Sequence, residues 1–139
     1  MANEVTEELR AVVAQRAGRR CEYCLIGEHD TGFPHQVDHI VSRKHGGLST
    51  LENLALACVL CNRYKGSDLA SLDSETGELF RLFDPRQDRW ADHFLLRGPV
   101  IEPVSAIGRV TVRLLRLDAA ERTAERQLLQ QLGTYPEHM

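Results

Sequence analysis

The chain is poor in several features, and each absence narrows what it does. No apolar run approaches the roughly 20 residues of a membrane-spanning helix. The opening residues, MANEVTEELR, are acidic and lack the basic-then-apolar order of a secretory leader. No repeat, low-complexity tract or linker divides the sequence, so residues 1–139 are expected to form one domain. Neither sign of charge prevails. Lys and Arg number 17 against 20 Asp and Glu, a net charge of −3 that gives no strong long-range pull on a polyanion. Cysteine is scarce too, at four residues, and without an export signal disulfide pairing is not expected. The cytoplasm is the simplest address, with no membrane partner. A composition of 42% hydrophobic and 27% charged residues is that of a folded globular chain.

The four cysteines form two identical pairs, Cys21-x-x-Cys24 and Cys58-x-x-Cys61, with 33 residues between them. A structural zinc takes four soft ligands in a tetrahedron, and each Cys-x-x-Cys turn supplies two. Two buried reduced pairs, a redox dithiol or an iron–sulfur cluster would use the same residues. A redox motif, however, has no need of a matching second pair. The charge is unevenly placed around this frame. Residues 10–66 carry eight Lys/Arg against five Asp/Glu, while residues 67–139 carry nine against twelve.

Periodicity gives a coarse map. A helix is expected over 4–17, capped by Asn3, with Val5, Leu9, Val12 and Val13 at helical spacing. A strand over 35–41 and a returning strand over 54–57 would make a hairpin, and a two-turn helix carrying the second knuckle stops at Gly66. Further on, a turn at 73–77 precedes a strand over 78–83, and a short helix holds Trp90 and Phe94 as core residues. An edge strand over 100–104 and a helix from Ser105 follow. A last helix starts at an Asp118/Glu121 capping box and turns Ala120, Ala124, Leu128 and Leu132 inward. The fold class is α+β, a zinc-stapled ββα core with an N-terminal helix and a C-terminal section of short strands and two helices.

Inside the zinc frame stand groups suited to phosphodiester chemistry. Asp38 offers a hard carboxylate oxygen, His39 a base near neutral pH, and Asn62 an amide oxygen held beside Cys61. One geometric obstacle is plain. Neighbours on a regular strand point to opposite faces, so the strand has to end, twist or bulge at Asp38–His39 for both to serve one site.

With Cys21-x-x-Cys24, Val37-Asp38-His39-Ile40, Gly46-Gly47, Asn53-Leu54 and Cys58-x-x-Cys61-Asn62-x-x-Lys65-Gly66 in order, the sequence resembles the HNH endonucleases of the ββα-metal (His-Me finger) fold. The resemblance covers residues 19–68 and leaves 69–139 as an extension packed on that core. It implies a metal-dependent endonuclease in which His39 is the general base. Asp38 and Asn62 would hold a catalytic Mg²⁺ or Mn²⁺, and Asn53 would fix the hairpin loop so that His39 is aimed. Cys21, Cys24, Cys58 and Cys61 would hold a structural Zn²⁺. The last motif position carries Asn62 in place of histidine, and the resemblance includes active members with that change. The implied substrate is DNA in preference to RNA, with 5′-phosphate and 3′-hydroxyl products. Arg43, Lys44, Arg63 and Lys65 are the candidate phosphate contacts, and His45 sits beside the glycine turn. His29, His35, His93 and His138 receive no role. A homodimer would account for double-strand cutting, though no segment identifies its surface. The rival reading keeps the zinc frame as a non-catalytic nucleic-acid-binding module.

Overall fold

The computed structural model describes residues 3–136, and His138 lies outside them. Helix α1 spans Glu7–Arg16. Its cap is Thr6, whose hydroxyl accepts from Leu9 N at 3.1 Å, rather than the expected Asn3. Asn3 is turned instead towards the loop around Gly47 and Ser49. The acidic first turn (Glu7, Glu8) complements the amide end of the helix. At the other end Arg16 donates to the carbonyls of Leu51 and Leu54, tying α1 to the next element.

Strand β1 (Gln36–His39) pairs antiparallel with β2 (Leu54–Ala57), Asp38 opposite Ala55 and His39 opposite Leu54. All four residues of β2 are buried, and its alternation separates two apolar clusters. Leu54 and Leu56 pack on Val13 and Ala14 of α1. Ala55 and Ala57 face the cysteines, where small side chains leave room for four sulfurs. Helix α2 (Val59–Lys65) follows at once, with Cys58 as its cap, and ends at Gly66, whose φ is positive at 52°. This is the expected ββα unit.

The hairpin connection is pinned at Gly47. A Cβ built there would lie 1.6 Å from the Val41 carbonyl oxygen, so only glycine lets the two backbones approach this closely. Asn53 closes the same connection. Its Oδ1 accepts from Val41 N, and its Nδ2 donates to the carbonyls of Val41 and Leu48, each at 2.9 Å.

The extension contains two further hairpins, β3 (Ala70–Leu72) with β4 (Leu79–Arg81) and β5 (Phe94–Arg97) with β6 (Val100–Pro103). Between them lies a single helical turn, α3 (Trp90–His93). Phe94 therefore begins a strand, correcting the expectation of a helical residue, and remains a core residue against Trp90 and Phe83. Helix α4 (Ala106–Leu115) is capped by Ser105 and buries Val110, Thr111, Val112 and Leu115. Among the described residues no helix is long and apolar enough to cross a membrane.

Helix α5 (Ala120–Gln131) overturns the expected register. Ala119 occupies its cap position without a side-chain bond, so Asp118 is not the cap. Ala120, Ala124, Leu128 and Leu132, expected inside, are all exposed. Arg122, Arg126 and Leu129 are buried instead. The cause is polar satisfaction. Arg122 donates to the Leu115 carbonyl at 2.6 Å, and Arg126 to the carbonyls of Leu117 and Pro99, each at 2.7 Å. Leu115 ends α4 and Leu117 follows it, where carbonyls lack helical partners. Leaving these buried acceptors unpaired would cost more than burying two leucines would gain.

Candidate active site and zinc centre

The four cysteine sulfurs lie within 4.8 Å of one another, and every one of these residues is buried. Cys24 Sγ and Cys58 Sγ are 3.7 Å apart. In each knuckle the second cysteine's amide donates to the first one's sulfur at 3.4 Å. As thiols, Cys21 and Cys61 are pushed up by burial, while hydrogen bonds from Cys21 hold Cys24 and Cys58 down. A central cation would favour thiolate at all four. The donor set and its spacing fit a structural zinc.

Four thiolates on one Zn²⁺ make a doubly negative centre, and the protein answers with Arg122. Its guanidinium donates to Cys61 Sγ at 3.1 Å and lies 3.7 Å from Cys58 Sγ. Burial opposes the charge of Arg122, but the Cys61 and Cys24 sulfurs outweigh it and hold its pKa above the ordinary value. Sequence reasoning missed this residue because an arginine in a helix reads as solvated. Tyr135 adds a second tie from the extension, donating to the Cys24 carbonyl at 2.6 Å.

The first knuckle also reaches the candidate catalytic residues. Tyr23, between Cys21 and Cys24, is fully buried and donates to Asp38 Oδ2 at 2.7 Å. Lys65, on the last turn of α2, lies 3.2 Å from the same oxygen and 3.3 Å from Oδ1. Burial raises the Asp38 pKa, an effect only partly offset by Lys65 and Tyr23. The Lys65 ammonium makes two further bonds, at 3.1 Å, to the carbonyls of His39 and Ile40. It thereby staples the end of β1 to α2.

This corrects the reading of Lys65 as a phosphate contact. The residue is 2% exposed, and its donors are spent inside the protein. Lys65→Met is expected to lower stability by on the order of 3 kcal/mol, because it strands a buried carboxylate. The salt dependence of any nucleic-acid binding should not change. A lysine on a phosphate would show the reverse pattern, with intact melting and a salt slope reduced by about one. Thermal melts beside binding isotherms at several salt concentrations distinguish the two.

The Asp38 carboxylate is turned inward onto Tyr23 and Lys65, whereas the His39 ring is turned towards Ser49 and Arg43. His39 is the last residue of β1, and Ile40 N already bonds across to Asn53 O at 2.8 Å. Asp38 and His39 both contribute atoms to one shallow cleft, which Asn62, Ser42, Arg43 and Lys44 also line. Asn62 donates its Nδ2 proton to Gln36 Oε1, which directs the amide and leaves its Oδ1 as an acceptor. Burial lowers the His39 pKa, and Arg43 and Lys65 lower it further, which favours the neutral imidazole. His39 Nε2 is 2.9 Å from Ser49 Oγ.

Asp38 and Asn62 are an oxygen pair of the kind Mg²⁺ or Mn²⁺ accepts alongside waters and substrate oxygens. The fit is partial, since the Lys65 ammonium already neutralises the carboxylate. Arg43 and Lys44 are exposed on the cleft rim, as expected of phosphate contacts. Arg63 is exposed but lines a different, more enclosed pocket beside the cysteines with Ile26, Phe33 and Leu60. That pocket's own arginines, Arg122 and Arg126, are already bonded to sulfurs and carbonyls.

Residues 21–68 match the HNH endonuclease family. No curated protein and no solved structure gives a match. The HNH segment starts at the first zinc ligand and ends just past α2, so it holds the zinc centre and the cleft. Residues 3–20 and 69–136 lie outside it, Asn3 and Arg122 among them. Nuclease-like or nucleic-acid-binding activity is the function class this segment carries.

Proposed function

We propose that the protein is a divalent-metal-dependent endonuclease that hydrolyses DNA phosphodiester bonds. The observation carrying this reading is that Asp38, His39 and Asn62 share one cleft on a rigid zinc frame, although two of them are strand neighbours. His39, neutral and half-buried, accepts the proton of the attacking water. Asn53 holds the connection that carries the far wall of the cleft. Arg43 and Lys44 receive the flanking phosphates. An Mg²⁺ or Mn²⁺ ion held by Asp38 and Asn62 would supply charge stabilisation at the phosphorus and the leaving 3′ oxygen. Water adds to phosphorus, the P–O3′ bond breaks, the leaving 3′ oxygen takes a proton from solvent, and the products carry a 5′-phosphate and a 3′-hydroxyl.

The Asp38–Lys65 pair favours a second reading, a zinc-stapled module that binds nucleic acid without cutting it, because it already neutralises the carboxylate. Supercoiled plasmid separates them. Zinc-loaded protein in buffer free of other divalent ions should leave plasmid intact, and adding Mg²⁺ or Mn²⁺ should produce nicked or linear forms. Binding without cleavage of plasmid, single strands or branched DNA in either ion would establish the module instead.

A further inference from the structure

The histidine has two ring nitrogens, and a neutral imidazole can act as a base only at the one that carries no proton. Around His39 the hydrogen bonds decide which that is. Ser49 Oγ donates to the Asn3 carbonyl at 2.7 Å. A hydroxyl has one proton, so the 2.9 Å contact between Ser49 Oγ and His39 Nε2 has to be made by the proton on Nε2. Nδ1 is then the lone-pair nitrogen, and among the described residues it has no hydrogen-bond partner.

Ser49 is itself held in place. Its amide donates to Asn3 Oδ1 at 2.6 Å, and Asn3 Nδ2 reaches the Gly47 carbonyl at 3.4 Å. Asn53 binds the adjacent Leu48 carbonyl, so the loop is gripped from both sides. Arg43 Nε also lies near His39 Nε2, at 3.4 Å, an approach that would need the opposite tautomer. The two shorter bonds outweigh it.

We propose that Ser49, anchored by Asn3, is a positioning residue. It fixes His39 as the Nε2–H tautomer and leaves Nδ1 as the proton acceptor in the cleft. The inference rests on His39 being the base of the proposed nuclease, but its first readout does not need cleavage. Asn3 lies outside the segment matched to the family, so the site is completed by a residue that the match does not include.

The experiment is a tautomer-resolved ¹H–¹⁵N spectrum of zinc-loaded protein at a pH where the His39 ring is neutral. The His39 signals are assigned as those absent from His39→Ala. Wild-type protein should show protonated Nε2 and unprotonated Nδ1. Ser49→Ala should give a mixture of the two tautomers while retaining zinc, and Ser49→Thr should restore the single form. In the plasmid assay kcat should fall about tenfold to a hundredfold for Ser49→Ala, the size of effect seen when a group orienting a functional histidine is lost. KM should stay level, and Ser49→Thr should recover activity. A wild-type ring protonated at Nδ1, or a Ser49→Ala spectrum identical to wild type, would overturn the proposal. A tautomer shift in Ser49→Ala with no cleavage by any of the proteins would uphold the positioning and remove the nuclease reading.

Discussion

Stripping zinc, by chelation or by Cys61→Ser, is expected to abolish the cooperative melting transition. The hairpin and α2 have little apolar substance of their own. One cluster is Val13, Ala14, Leu54 and Leu56, and the other joins the four cysteines to the apolar core of the extension, Phe83, Phe94, Ile101, Val110 and Leu115 among it. Structural zinc in small modules contributes an apparent ~10–16 kcal/mol, comparable with the ~5–15 kcal/mol net stability of a whole domain. The loss should not stay within the HNH segment. Arg122 is buried against the sulfurs, and without a negative centre its charge sits in the interior with only carbonyls for partners. Far-UV circular dichroism and differential scanning calorimetry on matched zinc-loaded and stripped protein provide the test. A stripped protein with the same transition temperature and enthalpy would remove zinc from the account.

His39→Ala is expected to reduce cleavage by about 10²–10⁴-fold, the usual contribution of a positioned general base. DNA affinity and melting temperature should change little. His39 is only partly buried, and its side chain makes one short hydrogen bond, to Ser49. The replacement leaves the Asp38–Tyr23–Lys65 cluster intact, because Lys65 holds the His39 main-chain carbonyl and not its ring. The variant thus separates chemistry from binding. Equal rates for variant and wild type, under conditions where wild type cuts, would assign the base to another group.

The ββα unit was legible because its determinants are local and unusual. Paired Cys-x-x-Cys turns imply a metal, and the strand-like runs at 35–41 and 54–57 imply a hairpin between them. The resemblance to the HNH endonucleases brought Asp38, His39, Asn53 and Asn62 into consideration together. Tyr23 was not legible, since the two residues inside a knuckle follow no rule, and its task appears only once the hydroxyl is seen against Asp38. Lys65 was misread for the opposite reason. A lysine after a motif looks solvated, and only the packing of β1 on α2 shows that it closes an interior acceptor cluster. In α5 the period was right and the face was wrong. Apolar periodicity assumes that transfer of apolar surface decides which side turns in. Here two arginines supply donors to carbonyls and sulfurs that no leucine could satisfy.

The C-terminal end of the described chain meets the first knuckle. Tyr135 holds the Cys24 carbonyl across 111 residues, and Arg20 holds the Thr134 carbonyl across 114. The sulfur pair Cys24–Cys58 closes a separation of only 34. Closing a long loop costs entropy that must be spent before the contact returns any stability, and the cost grows with length. The hairpin with α2 is therefore expected to assemble first, both knuckles to join next, and the C-terminal tie to form last. During synthesis the metal-binding half emerges well before Tyr135 does. A growing chain can accordingly capture its ion while the segment that later seals the knuckle is still inside the ribosome.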